Sequence, residues 1–174
     1  MNIVQLSLVC RVFCWAFLVM IPLSYLISQW PLGQSSEELL QDLPYAVQLD
    51  TVAPWQWLTA KALAFIPSLL LMAGIYYLLG LFRNVQTGEC FSLRNVRALR
   101  FFSLYLALHA LARFVVFTVN SLVLTANHPP GEHMLSITFG SQDVKLVFIA
   151  LAIWVVALML EKGEQLQQEN QAFV

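Results

Sequence analysis

The sequence predicts an all-α integral membrane protein, a four-transmembrane-helix bundle with a small extracytoplasmic cap holding a short helix and at most two short strands. Three observations predict it. The 174 residues are 59% hydrophobic and 11% charged, with a mean hydropathy of +0.71, whereas soluble domains run at roughly 45–50% apolar and about 25% charged. The apolar residues gather into four segments, each long enough to cross roughly 30 Å of hydrocarbon. Lys and Arg are segregated along the chain, with Arg83, Arg94, Arg97 and Arg100 supplying four of its nine basic residues. A soluble chain so poor in charge would leave too much apolar surface against water, so lipid is part of its solvent.

The first apolar segment covers residues 4–29. Its only side-chain cation, Arg11, lies inside the apolar run, and the following "SQWPLGQ" has no small-x-small cleavage pattern. These features predict a retained span rather than a cleaved signal peptide. The second, third and fourth spans fall at 55–82, 101–125 and 144–160. Helices are expected throughout, because backbone in lipid must satisfy its own hydrogen bonds and no alternating barrel pattern is present. Pro22 and Pro67 fall inside the first two spans, where each removes a donor and predicts a kink. Lys145 is expected to snorkel at the outer end of the short fourth span, with Glu161 and Lys162 marking its inner end.

Loop charge sets the expected orientation. Residues 30–54 carry Glu37, Glu38, Asp42 and Asp50 without Lys or Arg, and residues 126–143 carry Glu132 and Asp143, again without Lys or Arg. The turn 83–100 holds the arginines, so the positive-inside rule predicts that this turn, both termini and the tail 161–174 are cytoplasmic. The expected location is therefore a bacterial inner membrane. Trp30, Trp55 and Trp57 fit an aromatic belt at the outer surface.

In the outer loops, "SSEELLQDL" pairs Ser35 with Glu38 as a capping box and sets Leu39, Leu40 and Leu43 on one face, predicting a short surface helix stopped by Pro44. "YAVQLD" and "MLSITF" read as short strands. In the inner turn, Gly88 suits a left-handed residue after the second helix. Ser92 suits the N-cap of the third helix, with Phe91 stapling onto Val96.

Motifs of catalysis are not apparent, and no catalytic residue, metal site or cofactor is assigned. Cys10, Cys14 and Cys90 lie in the expected cytoplasmic half, where thiols stay reduced, and Cys10 and Cys14 read as small packing residues. His128, Glu132 and His133 have a zinc-like ligand count, but a Pro-Pro-Gly turn with polar neighbours is the simpler reading. Direct nucleic-acid binding is disfavoured, because the basic cluster abuts a span and no polar, aromatic-rich domain accompanies it.

Two polar features stand out. The arginines Arg83, Arg94, Arg97 and Arg100 are expected to bind anionic headgroups, at roughly 1 kcal/mol per charge, or to dock a cytoplasmic partner or the acidic tail. Within the third span, Tyr105, His109, Arg113 and Asn120 form one stripe. Arg113 lies about 20 Å along the helix from Arg100, at or just outside the span's midpoint. Its expected partners include carbonyls near Pro22 or Pro67, Tyr76 or Tyr77, Asn120, and Asp50 or Asp143. The stripe reads either as an internal clamp or as an outward-opening ligand site.

The stretch "LLGLFRNVQTGECFSLRNVRALRFF" resembles the inner turn of a family of small bacterial four-span membrane proteins known as a domain of unknown function. Gly88, Phe91, Ser92, Asn95, Val96 and Arg100 carry the likeness, as do Gly163, Leu166, Glu169 and Asn170 in the tail. The likeness covers the second half of the chain; hydropathy alone connects the first. The resemblance implies an inner-membrane protein without assigned catalysis and, from members encoded beside small helix-turn-helix regulators, a cytoplasmic regulatory partner. The expected function is a non-enzymatic regulatory or interaction protein with a basic docking turn. The alternative is a small transporter or channel, built as a homo-oligomer around the polar stripe.

Overall fold

A computed structural model describes residues 3–28, 52–88, 92–127, 135–137 and 140–172. Its elements are four helices: α1 (Ile3–Ser28), α2 (Pro54–Gln86), α3 (Leu93–Thr125) and α4 (Ser141–Ala172). All four are long and apolar enough to cross a membrane, and no strand occurs among the described residues. The protein is an all-α integral membrane protein. Of the expected cap, the helix over 35–43 and the strand over 45–50 lie outside the described residues. Within "MLSITF", Leu135, Ser136 and Ile137 belong to no regular element.

Each helix packs chiefly on its neighbour in sequence, α1 on α2, α2 on α3 and α3 on α4. The central pair is therefore covered on both sides, and α1 and α4 form the flanks. Burial follows from that order. Helix α3 buries Val96, Ala98, Ser103, Leu106 and Ala110, while α4 buries Asp143, Ala150 and Ala157 among its described side chains. Most buried residues are small, and many bulky Leu, Phe, Val and Trp side chains are exposed, with Val96, Leu106 and Leu124 the exceptions that pack inside. In lipid, helices associate through close backbone approach and interhelical hydrogen bonds rather than by hiding apolar side chains. Gly74 shows this: a Cβ there would lie 3.2 Å from Tyr105 Cβ and 3.3 Å from Phe102 Cδ2. Ser103 Oγ donates to the Ala150 carbonyl at 2.6 Å, joining α3 to α4.

The helices outrun the apolar segments that reveal them. Helix α2 continues to Gln86 and α3 starts at Leu93, so the 83–100 turn is largely helical and the connection is short. Gly88 takes φ +86°, the left-handed conformation expected of it. Ser92 is extended, and its Oγ accepts from the Asn95 N–H; Phe91 lies outside the described residues. Helix α4 runs past Leu160 into the Glu- and Gln-rich tail, whose residues are good helix formers and need no lipid. Pro22 and Pro67 sit inside α1 and α2 without ending them.

At the end opposite the α2–α3 turn, Gln56 joins three segments and is fully buried. Its Oε1 accepts from the Ala53 N–H at 2.7 Å and from Asn127 Nδ2 at 2.8 Å, while its Nε2 donates to the Val123 carbonyl at 2.7 Å. One amide thus satisfies the entry of α2 and the exit of α3, where backbone groups lack intrahelical partners. Helix α4 begins well short of this end. Its third residue, Asp143, meets Arg113 of α3, so α3 continues past that level for twelve residues, about 18 Å. Ser136 lies beside α3, where its N–H donates to Ser121 Oγ at 3.1 Å.

Candidate functional site

Around the α2–α3 turn, α1, α2 and α3 enclose an open-sided cleft of about 730 Å³. Its rim carries Arg11 from α1, Arg83 from α2, and Arg94 and Arg97 from α3. Its wall carries Trp15, Tyr76, Tyr77 and Phe101. The arrangement is graded along the helix axes. Tyr76 precedes Arg83 by seven residues, about 10 Å, while Trp15 and Phe101 lie four residues, about 6 Å, further into their spans than Arg11 and Arg97. All three helices therefore place arginine at the turn and aromatic rings on the apolar side of it.

Local sequence explains the construction. Asn84 Nδ2 donates to Asn95 Oδ1 at 2.9 Å, holding α2 and α3 together beside the turn. Tyr77 stacks on Phe101 with ring centroids 4.8 Å apart and on Tyr105 at 5.7 Å. Gly80 lies on the cleft, and a Cβ added there would meet nothing within 4 Å. Arg11 NH1 donates to Gln86 Oε1 at 3.1 Å, tying α1 to the end of α2. No carboxylate lines the cleft among the described residues. Glu89 of the turn lies outside them, and even counted against the arginines it leaves an excess of positive charge.

The four arginines of the turn divide between two surfaces. Arg83, Arg94 and Arg97 face the cleft, whereas Arg100 forms an ion pair with Glu161 of α4 and lies 5.9 Å from the Trp154 ring centroid. Helical geometry explains the division: each step of three residues turns about 60°, so Arg100 points about 120° away from Arg94. The beginning of the acidic tail thus meets Arg100, through a glutamate that is still part of the α4 helix.

The stripe on α3 is not brought to one site. Tyr105 stacks on Tyr77, and the ring Nδ1 of His109 lies 2.8 Å from the Pro67 carbonyl. A carbonyl only accepts, so Nδ1 carries the proton in this contact. Asn120 Nδ2 donates to the Ala60 carbonyl at 3.3 Å. Arg113 turns instead to α4, its Nε 3.4 Å from Asp143 Oδ1, with 46% of its side chain exposed and 8% of the aspartate's. Asp143 Oδ2 also accepts from the Gly140 N–H at 3.3 Å, closing the first turn of α4. Arg113 is therefore level with the start of α4. Asp143 is its partner among those the sequence suggested; the Pro67 carbonyl goes to His109.

Arg11 and Trp15 were not legible as site residues. A cation inside an apolar run, followed one turn later by a tryptophan, is the only signal, and it does not reveal what faces it. Among the described residues, no three His, Cys, Asp or Glu side chains group as a metal site. His128, Glu132 and His133 lie outside those residues.

Four apolar helices joined by a short capped turn define a multi-pass helical membrane protein. The chain belongs to the family described as "Protein of unknown function (DUF2975)", whose model matches residues 29–174. The match extends beyond the second half of the chain, back to the start of the first loop, and leaves α1 outside. No curated protein and no solved structure matches the chain. The cleft therefore combines a wall from the family's region with one contributed by α1.

Proposed function

We propose that the protein is a non-enzymatic regulatory or interaction protein of the bacterial inner membrane that holds an anionic partner at its cytoplasmic arginine cleft. The arginine-free outer loops and arginine-rich inner turn support this orientation, with both termini inside. The observation that carries the reading is the contrast among the arginines. Arg100 and Arg113 each face a carboxylate, whereas Arg11, Arg83, Arg94 and Arg97 share a cleft with none in its described lining. A cationic cleft on the cytoplasmic side attracts anions and raises their local concentration. The transporter or channel reading has less support, because each stripe residue is engaged with a neighbouring helix and none lines the cleft.

A photo-crosslinking residue at Thr87, an exposed position on the cleft, tests the reading in native membranes. An adduct that disappears in the Arg94→Glu/Arg97→Glu variant is expected. An adduct pattern indifferent to charge reversal overturns it. For orientation, a C-terminal alkaline phosphatase fusion is expected to be inactive and a fluorescent-protein fusion bright.

A further inference from the structure

We infer that the cleft is a binding site for one anionic phospholipid, with its headgroup phosphate among Arg11, Arg83, Arg94 and Arg97 and its chain along Trp15, Tyr76 and Gly80. The inference rests on the proposed anionic partner and names its chemistry. Two observations lead from "anionic" to "lipid". The first is depth. Arg11 meets Gln86 at the end of α2, while Trp15 and Tyr76 lie about 6 and 10 Å further into their helices than Arg11 and Arg83, and both fall within candidate spans. A soluble macromolecule reaching that wall would have to enter hydrocarbon, whereas a phospholipid is already there. The second is Arg11 itself. A cation placed in a span costs free energy unless it finds an anion or water, and its hydrogen-bond partner, Gln86, is neutral.

The lining has the polarity of a phospholipid, charged at the turn and apolar further in. Trp15 and Tyr76 are 56% and 69% exposed, rings with an apolar body and a polar edge that suit the headgroup–chain boundary. Guanidinium groups match phosphate oxygens in bidentate geometry. Several of them together disfavour a headgroup that also carries an ammonium, so a net-anionic lipid such as phosphatidylglycerol is expected over phosphatidylcholine. Gly80 leaves room for the chain, because nothing stands where its Cβ would be. Arg100, paired with Glu161, is not part of this site.

The test is native mass spectrometry of the full chain in mild detergent with added phosphatidylglycerol or phosphatidylcholine. One retained phosphatidylglycerol is expected, weakened about five-fold for each of Arg11→Gln and Arg97→Gln. Gly80→Leu is also expected to weaken it while leaving every charge in place; circular dichroism confirms that each variant is folded. Equal retention of the two lipids, unchanged by any variant, overturns the site. Sensitivity to the arginines but not to Gly80→Leu, or displacement of the lipid by millimolar inorganic phosphate, means surface ion binding and overturns it as well. A charge-dependent protein adduct at Thr87 without lipid selectivity overturns the lipid and leaves the anionic-partner reading standing. Loss of both signals removes both.

Discussion

The Arg113–Asp143 pair makes a quantitative prediction about how α3 and α4 are held. Arg113→Gln removes the cation and keeps an amide. Asp143→Asn removes the anion and keeps an oxygen able to accept from the Gly140 N–H, so the first turn of α4 retains its cap. At 3.4 Å, two unit charges in an effective dielectric near 20 attract by about 5 kcal/mol. Nearly half of the Arg113 side chain is exposed while Asp143 is buried, which places the pair between exposed bridges and buried ones. A coupling of about 1–2 kcal/mol is the expected net value. The assay is a double-mutant cycle on the purified protein, read as denaturation in mixed detergent micelles by circular dichroism. Each single variant should lose stability, Arg113→Gln more, because it leaves the buried Asp143 carboxylate unpaired, whereas the half-exposed Arg113 left by Asp143→Asn can still be hydrated. The double variant should lose less than the sum. Strict additivity refutes the clamp and means that the pair is incidental to α3–α4 packing.

Two further outcomes follow from the packing. Gln56→Leu keeps the side-chain volume but strands the Ala53 N–H and leaves the Val123 carbonyl only its longer bond from the Ala126 N–H, so it should destabilise by about 1–3 kcal/mol in the same denaturation assay; Asn127→Ala, at an exposed residue, should cost far less, and equal costs contradict the network. Gly74→Val places new atoms against Tyr105 and Phe102 and should cost about 1–3 kcal/mol through overpacking. Gly80→Val, a control on the same helix facing open space, should stay close to wild type by the same measurement.

Much of the architecture is legible in the sequence because its causes are local. Hydrophobic length reveals four spans, since each helix must cross the same hydrocarbon thickness. The return between α2 and α3 can be read from Gly88 and Ser92, because a left-handed glycine and an N-cap serine act within a turn of their own positions. The helix ends are less visible: α4 extends into the polar tail because Glu and Gln sustain a helix in water, and hydropathy does not register that.

What the tertiary structure decided is which polar side chains meet. Pairing across helices depends on their relative rotation and axial register, and no period within one helix encodes either. Arg94, Arg97 and Arg100 look like one basic face at three-residue spacing, yet Arg100 turns to Glu161 while the other two face the cleft. Tyr105, His109, Arg113 and Asn120 look like one stripe, yet Arg113 crosses to α4 while the others engage α2. Arg11 is the sharpest case. In the sequence it is a lone cation in an apolar run, and packing of α1 on α2 brings it beside arginines more than seventy residues away. The chain thus determined by itself that it lives in a membrane and where it turns; helix rotation and register decided that four of its arginines surround one cleft.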